Sequence, residues 1–435
     1  MLRLIVVIFT VLVGSLIFYN YRHKEKEAAA KPVVATNITH PHTKIAPAIT
    51  LSANPYWIEL LEDYNAYIRD AVKNGEAPGA AVAIVQDSAV LFLKGYGLSD
   101  TKEEDSIGVF SVFRLGSVSK SLASVLTGVL VQDSILNWDD KVIKYIPDFE
   151  LKSKESTEQI TIRHLLSHTS GLPYHAFTSE IDNGADFDPL VYHLRDLNLT
   201  GPPGKTYSYQ NVAYSLVGKV IESATGKPYD VVMAEKVFRP LHMDQASLTF
   251  EAMMANDDKA KPHVHTIRGW KPTTINETYY NVGPAGGVNA SISDMARWLK
   301  ALTTKEHNLL LASVKHDMFK PYVRATARNR YFRNWKKSSG SFYSLGWRIL
   351  TFNKTDTLNY HGGYVNGYRS EIALKGDDGI GICVLVNAAG SLADRAIPEF
   401  FIRYEKYRTK IEEWERSQHP HLAIEDAKSE EQHSF

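Results

Sequence analysis

Apolar and polar residues along this chain follow a helical period in some segments and a strand period in others. Between Tyr56 and Gly75 the apolar residues recur at helical spacing, and the run "AAVAIVQDSAVLFLKGYG" then indicates two strands joined by a polar turn at residues 86–88. The later segments are helical at 117–132, 161–167, 211–224 and 291–303, and strand-like at 343–351, 367–375 and 379–387. Strands near both ends with helices between them predict an α+β fold: an antiparallel sheet flanked by helices, with an inserted, mostly helical subdomain.

The first fifty residues follow a different pattern. Leu4–Tyr19 is a nearly unbroken apolar run after Arg3, and as a helix it would span about 24 Å, a little less than the ~30 Å hydrocarbon core of a membrane. A cleaved signal peptide and an uncleaved anchor both remain open, and the anchor is favoured because the small residues Ala28 and Ala30 lie far beyond the run. The predicted organisation is a membrane anchor over 1–30, a tether over 31–53, one globular domain over 54–408, and a charged, disordered tail over 409–435.

Charge and cysteine content exclude several classes of protein. Lys plus Arg and Asp plus Glu number 49 each, and no basic stripe is interleaved with aromatic residues, so nucleic acid is not an expected partner. The one cysteine, Cys383, lies inside an apolar run, which leaves no disulfide framework and no zinc spacing. His164, His168 and His175 lie close together in sequence but lack a carboxylate at a matching offset, so no metal site is predicted there.

A Ser-x-x-Lys pattern occurs twice, and its surroundings separate the two copies. Ser99 and Lys102 lie in a polar turn with no helix behind it, whereas Ser117 and Lys120 open the amphipathic run "SKSLASVLTGVLVQ". At helical spacing these two side chains share one face, and the free N–H groups of the helix start face the serine. A desolvated lysine can take the proton of a serine hydroxyl, so Ser117 and Lys120 are a candidate nucleophile and base. The alternative is a helix N-cap followed by a solvated lysine.

Tyr-x-Asn occurs three times, but only Tyr209 and Asn211 follow a Pro-Gly pair and precede a helix. A phenol beside a lysine ammonium can relay a proton, and an asparagine can hold a substrate amide. A third segment, "NYHGGYVNGYRSEIAL", contains His361, Gly362 and Gly363 leading into a strand. Glycines at this place are expected to let a substrate backbone approach the strand edge.

Five blocks, in this order, resemble landmarks of the serine β-lactamase and penicillin-binding-protein superfamily, over roughly residues 57–400. They are "FRLGSVSKSLASVLTGVLVQDSILNWDDKVIKYIP", "ITIRHLLSHTSGLP", "PGKTYSYQNVAYSLVG", "GPAGGVNASISDMARWLKAL" and "YHGGYVNGYRSEI". The resemblance is closest to the class C β-lactamase-like branch, which also holds D-Ala-D-Ala carboxypeptidases and esterases. It implies the same antiparallel sheet, flanking helices and helical subdomain, with the site between them.

The resemblance also implies a role for each candidate residue. Ser117 is expected to form the acyl-enzyme, with Lys120 and Tyr209 as the proton-handling pair and Asn211 holding a substrate amide. The backbone N–H groups of Ser117 and Tyr364 are expected to form the oxyanion hole. No metal or organic cofactor is implied.

One departure from the family pattern bears on the substrate. Many β-lactamases of this kind carry Lys-Thr-Gly on the last strand, where this chain has His361-Gly362-Gly363. His361 and Gly363 are expected to line the substrate site, with the histidine titrating near ~6.5 and holding a carboxylate only weakly at neutral pH.

The sequence therefore predicts a membrane-anchored serine hydrolase on the periplasmic side of a bacterial inner membrane. Its expected substrates are small or peptide-like acyl compounds, namely esters or amides, with weak β-lactam hydrolysis at most. The alternative is a non-catalytic tethered module that binds peptidoglycan or a protein partner.

Overall fold

The structure, a computed structural model, describes residues 44–305, 307–325, 334–335, 338–352 and 356–418. The predicted anchor at Leu4–Tyr19, the first part of the tether and the end of the tail lie outside these residues. Within the described ranges, no helix is both long enough and apolar enough to cross a membrane.

An antiparallel sheet forms the centre of the domain. Its strands are β1 (Gly79–Gln86), β2 (Ala89–Asp100), β3 (Asp105–Ser106), β8 (Val323–Arg324), β9 (Gly340–Tyr343), β10 (Arg348–Thr351), β11 (Thr357–Val365), β12 (Tyr368–Lys375) and β13 (Ile380–Val386). Among the described residues the strand order is β3-β2-β1-β13-β12-β11-β10-β9-β8. The N-terminal hairpin thus pairs with the C-terminal strands, as the sequence predicted. Two short pairs lie beside the sheet: β4 (Val112–Arg114) with β7 (Asn289–Ser291), and β5 (His263–Thr266) with β6 (Gly269–Pro272).

The helices occupy both faces of the sheet and most of the chain between β4 and β8. In chain order they are α1 (Pro55–Lys73), α2 (Ser119–Gln132), α3 (Lys154–Gln159), α4 (Ile162–Leu166), α5 (Thr178–Asp182), α6 (Phe187–Tyr192), α7 (Asn211–Thr225), α8 (Tyr229–Met233), α9 (Phe250–Ala255), α10 (Gly283–Gly286), α11 (Ile292–Thr303), α12 (Ala312–Phe319) and α13 (Ser391–Gln418). Short 3₁₀ turns at Gly116–Val118, Val142–Lys144 and His193–Asp196 and a π-helical turn at Ala234–Phe238 complete the helical structure of the described residues.

The sheet divides the hydrophobic core into two layers. Alternate residues of β1 point to opposite faces: Ala81, Ala83 and Val85 join the layer that contains α2, α7 and α11, while Ala80, Val82 and Ile84 join the layer that contains α1 and α13. Because both faces are covered by helices, this strand is apolar throughout rather than alternating.

Helix α1 shows how local sequence fixes an element of the second layer. Asn54 is the N-cap, its side chain accepts the N–H of Tyr56, and Pro55 occupies the first helical turn, where its missing N–H costs nothing. The buried stripe is Trp57, Leu60, Tyr64, Ile68 and Ala71. The helix ends at Lys73, and Gly75 follows with a positive φ of 79°.

One predicted strand is wrong. The run 343–351 was expected to be a single strand, but it forms the end of β9, a tight turn and β10. Gly346 in this turn has φ 76°, and a Cβ there would lie 2.8 Å from the backbone oxygen of Lys120. The turn therefore packs directly on helix α2, which the local pattern did not reveal.

The ends of the predicted domain extend further than expected. The backbone N–H of Thr50 donates to the oxygen of Val90 over 2.8 Å, so the last part of the predicted tether lies on β2. At the other end, α13 continues ten residues beyond the predicted boundary at 408, to Gln418. Ile411 is buried and accepts a hydrogen bond from the side chain of Asn54, so the first part of the predicted tail packs on the domain.

Candidate active site

Ser117 lies in the 3₁₀ turn between β4 and α2, at the sheet side of the helical subdomain. Gly116 before it has φ 51°, and a Cβ there would lie 2.9 Å from backbone atoms of Tyr364. Only glycine fits both the backbone conformation and the close approach. The turn leaves Ser117 partly exposed, while Lys120, one turn later, is fully buried.

The amino group of Lys120 lies among three oxygen atoms. Its Nζ donates to Asn211 Oδ1 and to the backbone oxygen of Ala285, each over 2.8 Å, and lies 3.4 Å from Ser117 Oγ. Burial lowers the pKa of Lys120 well below its ordinary value, and the positive charge of Arg348 lowers that pKa further. A neutral amine has two hydrogens and one lone pair. Two acceptors and one hydroxyl are therefore a suitable set of neighbours for it.

Tyr209 contacts the same hydroxyl of Ser117. Its hydroxyl donates to Ser117 Oγ over 2.9 Å, and its ring centroid lies 4.7 Å from Lys120 Nζ. Because Oγ accepts the phenol hydrogen, the hydrogen of Ser117 itself is available to the lysine lone pair. The structure thus brings together Ser117, Lys120, Tyr209 and Asn211, from segments nearly a hundred residues apart in sequence.

The backbone of Tyr364 lies beside the turn that carries Ser117, and its N–H is not used by the sheet. Residues Val365 and Tyr368 close a two-residue hairpin through Asn366 and Gly367, both of which have positive φ. In such a hairpin the next pair, Tyr364 with Arg369, is not hydrogen-bonded, so the Tyr364 N–H points away from β12. Strand β10 pairs only with residues 357–360 of β11, which leaves Tyr364 beyond its end.

Gly363 explains how β11 comes so close to the turn Gly116–Val118, here called the nucleophile turn after its candidate nucleophile Ser117. A Cβ at this position would lie 2.0 Å from the oxygen of Leu115 and 3.1 Å from the backbone nitrogen of Ser117. The sequence analysis expected this glycine to admit a substrate backbone. In the structure it admits the backbone of the nucleophile turn instead.

His361 is placed differently from its expected role. It lies within β11 rather than ahead of a strand, and its ring is fully buried. Nε2 lies 3.1 Å from the hydroxyl of Tyr343 and Nδ1 lies 3.0 Å from the oxygen of Gly362. Burial and the charges of Arg348 and Lys120 lower its pKa well below 6.5. The expectation that it titrates near ~6.5 is therefore wrong, because that value belongs to an exposed imidazole.

The competing copies of the motifs are not assembled into a site. Ser99 lies on β2, separated from β11 by three strands, and its hydroxyl donates to the backbone oxygen of Asp105. Asn281 donates to the backbone oxygen of Ala185, and Asn366 accepts from the backbone N–H of Asn276. The helix and Pro-Gly contexts therefore selected the two copies that the structure places next to each other.

Sequence reasoning missed Arg348 and Tyr214. Arg348, at the start of β10, is nearly buried, donates to the hydroxyl of Tyr207 over 3.2 Å, and has its guanidinium carbon 5.4 Å from the centroid of the Tyr209 ring. Tyr214 donates to the backbone oxygen of Lys120 over 2.7 Å and so fixes helix α2 to α7. Neither residue belongs to a short motif, and only the pairing of β10 with β9 and β11 brings Arg348 to the site.

The chemistry that the site could support depends on the groups it presents. In the part of the chain that the structure describes, no group of three or more His, Cys, Asp or Glu side chains is arranged to hold a metal ion. The arrangement presents a partly exposed hydroxyl, a buried amine, a phenol and, at Tyr364, a backbone N–H that β12 does not use. These are the parts of a nucleophilic acyl-transfer site.

Fold and site together define a serine hydrolase of the β-lactamase and transpeptidase type. The family model described as Beta-lactamase matches residues 64–404, so the chain belongs to the beta-lactamase family, which is a family of serine hydrolases. The resemblance, the fold class and the enzyme class predicted from the sequence are thereby confirmed.

Curated relatives include an unguisins hydrolase of Aspergillus campestris, 26% identical over 345 residues, and protein flp of Staphylococcus aureus, 24% identical over 358 residues. The match to the first relative covers 76% of this chain and 62% of that relative, and the match to the second covers 80% of this chain and 68% of that relative. The chain thus spans about two thirds of the length of these relatives.

Solved structures with this fold include the octameric penicillin-binding protein homologue of Pyrococcus abyssi, with TM-score 0.68, 23% identity and 78% and 77% of the two chains covered. The D-amino acid amidase of Ochrobactrum anthropi has TM-score 0.66, 20% identity and coverage of 80% and 99%. EstCE1, a hydrolase with promiscuous acyltransferase activity, has TM-score 0.67, 19% identity and coverage of 80% and 98%.

Proposed function

We propose that this protein hydrolyses ester or amide substrates through an acyl-enzyme on Ser117. The observation that carries the proposal is the position of Ser117 Oγ, 2.9 Å from the hydroxyl of Tyr209 and 3.4 Å from the amine of a fully buried Lys120. A buried lysine with a lowered pKa and a phenol in contact with the same hydroxyl have little structural purpose unless that hydroxyl reacts.

Acylation would begin when the neutral amine of Lys120 removes the proton of Ser117. Oγ then attacks the acyl carbonyl carbon, and the negative oxygen of the tetrahedral intermediate accepts the backbone N–H groups of Ser117 and Tyr364. Tyr209 gives its proton to the leaving oxygen or nitrogen as the carbonyl re-forms. The lysine ammonium returns a proton to the phenol, so the pair ends this half-reaction in its initial state.

Deacylation would reverse the same proton path with water as the nucleophile. The neutral amine of Lys120 takes a proton from water, either directly or through Tyr209, which gives its own hydrogen to the amine as it accepts the one from water. The water oxygen attacks the acyl carbon, and Ser117 Oγ leaves with that proton returned to it from the lysine ammonium. Asn211 can bind the substrate with its amide nitrogen. Its side-chain oxygen accepts a hydrogen bond from Lys120, whereas its N–H groups can donate to a substrate carbonyl.

Esters and small or peptide-like amides fit this site better than β-lactams. With the ring of His361 buried and both ring nitrogens near oxygen partners, β11 supplies no exposed cation where many β-lactamases carry a lysine. Similarity to proteins named as a hydrolase and an amidase supports the same substrate classes. We further propose that the apolar segment Leu4–Tyr19 anchors the exported domain to a membrane, as its composition indicates.

A covalent probe tests the proposed function. A fluorophosphonate needs only an activated serine and an oxyanion hole, so the wild-type protein should gain the mass of one adduct, located at Ser117 by peptide mapping. Ser117→Ala should abolish both the adduct and the hydrolysis of a p-nitrophenyl ester.

Ser99→Ala is the matched control, because Ser99 belongs to the other Ser-x-x-Lys copy, and it should leave both unchanged. A wild-type protein without an adduct would instead support a non-catalytic binding module.

A further inference from the structure

The segment that carries Tyr209 is held by a loop that the proposed chemistry does not use. The backbone oxygen of His168 accepts the N–H of Ser208 over 2.8 Å, and the His168 ring nitrogen Nδ1 accepts the N–H of Gln210 over 3.2 Å. The backbone N–H of His175 donates to the oxygen of Tyr209 over 2.8 Å. His168 thus binds the residues on both sides of Tyr209, and His175 binds the backbone oxygen of Tyr209 itself.

The rings of the same two histidines pack against the phenol. The His168 ring centroid lies 4.2 Å from that of Tyr209, and the His175 ring is stacked at 5.3 Å with an interplanar angle of 28°. His168 is fully buried, and the rings of Tyr214 and Tyr343 lie 5.1 and 4.8 Å from it. Any change in the orientation of His168 therefore displaces Tyr209 directly.

The hydrogen bond to Gln210 defines the protonation state of His168. Because Nδ1 accepts an N–H, the neutral ring carries its hydrogen on Nε2, which is buried and has no nitrogen or oxygen partner among the described residues. Burial, and then the charges of Lys120, Arg348, His361 and His175, lower the pKa of His168 well below 6.5. A second ring proton would place two N–H groups against each other at Nδ1.

We propose that His168 is a positioning residue whose neutral ring, through Nδ1 and Gln210, keeps the hydroxyl of Tyr209 within hydrogen-bond distance of Ser117 Oγ. The inference deepens the proposed function and rests on it, since the chemical role of Tyr209 does. Displacement of a proton-transfer group by about 1 Å can lower the rate about a hundredfold. Loss of the contact between His168 and Gln210 should therefore be measurable as a loss of rate.

Two substitutions separate the acceptor at Nδ1 from the bulk of the ring. In His168→Asn the side-chain oxygen can replace Nδ1, and asparagine tolerates the φ of 56° at this position. In His168→Leu the acceptor is lost. Leucine also resists a positive φ, so the matched control is His242→Leu, at an exposed histidine with φ 53°.

The measurements are kcat and KM for a p-nitrophenyl ester, with thermal unfolding of each variant. His168→Leu should lower kcat about a hundredfold with little change in KM, His168→Asn should keep kcat within about fivefold, and His242→Leu should match the wild type. Selective ¹⁵N labelling should show Nδ1 of His168 without a proton from pH 5 to pH 8.

Full activity of His168→Leu, or a proton on Nδ1 of His168, would overturn the inference. A loss of kcat in His168→Asn as large as that in His168→Leu would also overturn it. A wild-type protein that neither hydrolyses the ester nor reacts with the fluorophosphonate would remove the proposed function and this inference with it. An active wild type beside an unimpaired His168→Leu variant would remove this inference alone.

Discussion

Replacing Arg348 tests whether a neighbouring charge keeps Lys120 neutral. Lys120 Nζ and the guanidinium carbon of Arg348 lie 4.7 and 5.4 Å from the centroid of the same Tyr209 ring, so they are at most about 10 Å apart. At an effective dielectric constant of about 20, two unit charges about 10 Å apart repel by about 1.7 kcal/mol, so a separation of at most about 10 Å gives at least about that repulsion. Arg348→Met should therefore raise the pKa of Lys120.

The assay is kcat/KM for a p-nitrophenyl ester between pH 5 and pH 9. Because the reaction needs the neutral amine, activity falls as the pH falls through the pKa of Lys120, and a raised pKa moves this acid limb to higher pH. Arg348→Lys keeps the charge and should leave the limb within about 0.3 units. His168 also faces Arg348, so the shift is measured again in the His168→Asn background, where it should persist. An unmoved limb in a folded Arg348→Met variant would refute the electrostatic reasoning.

Two further predictions concern the proton-handling pair and the close approach of β11. If Lys120 and Tyr209 share one task, Lys120→Ala and Tyr209→Phe should each lower kcat at least about a hundredfold, and the double variant should lose little more; additive losses in log kcat would contradict the shared task. Gly363→Ala should lower the free energy of unfolding in urea by about 1–3 kcal/mol, because its Cβ would lie 2.0 Å from the oxygen of Leu115. Gly376→Ala is the control: its Cβ would have no atom within 4 Å, and it should change the free energy of unfolding by less than about 1 kcal/mol. Equal stabilities of these two variants would show that β11 can move away from the nucleophile turn.

The sequence was informative where chemistry and local structure coincide. The Ser-x-x-Lys copy at a helix start and the Tyr-x-Asn copy after Pro-Gly were chosen over their competitors because a rigid element was predicted behind each. The structure places Lys120 Nζ and the hydroxyl of Tyr209 each within hydrogen-bond reach of Ser117 Oγ. Their catalytic roles stay predictions until the variants are assayed.

The sequence was uninformative where a role depends on packing across the sheet. The motif at His361 predicts an imidazole that lines the substrate site and titrates near ~6.5, because a motif does not report burial. In the structure its ring is enclosed beside Tyr343. Arg348 was missed because its approach to Tyr209 depends on a hairpin turn at Gly346, which in turn depends on contact with α2. Gly363 was assigned to substrate because the partner that needs its missing side chain lies about 250 residues earlier.

The position of β13 at the centre of the sheet determines the order in which this chain can fold during synthesis. Strand β1 pairs with β13, for example at Ala80 with Val386, so the N-terminal hairpin has an unpaired edge until about three hundred further residues have left the ribosome. Such non-local pairing makes folding slow, and β11 is synthesised long after α2, which it approaches in the folded protein. Until β13 is made, the free edge of β1 can pair with another chain, so this edge is where aggregation during synthesis would begin.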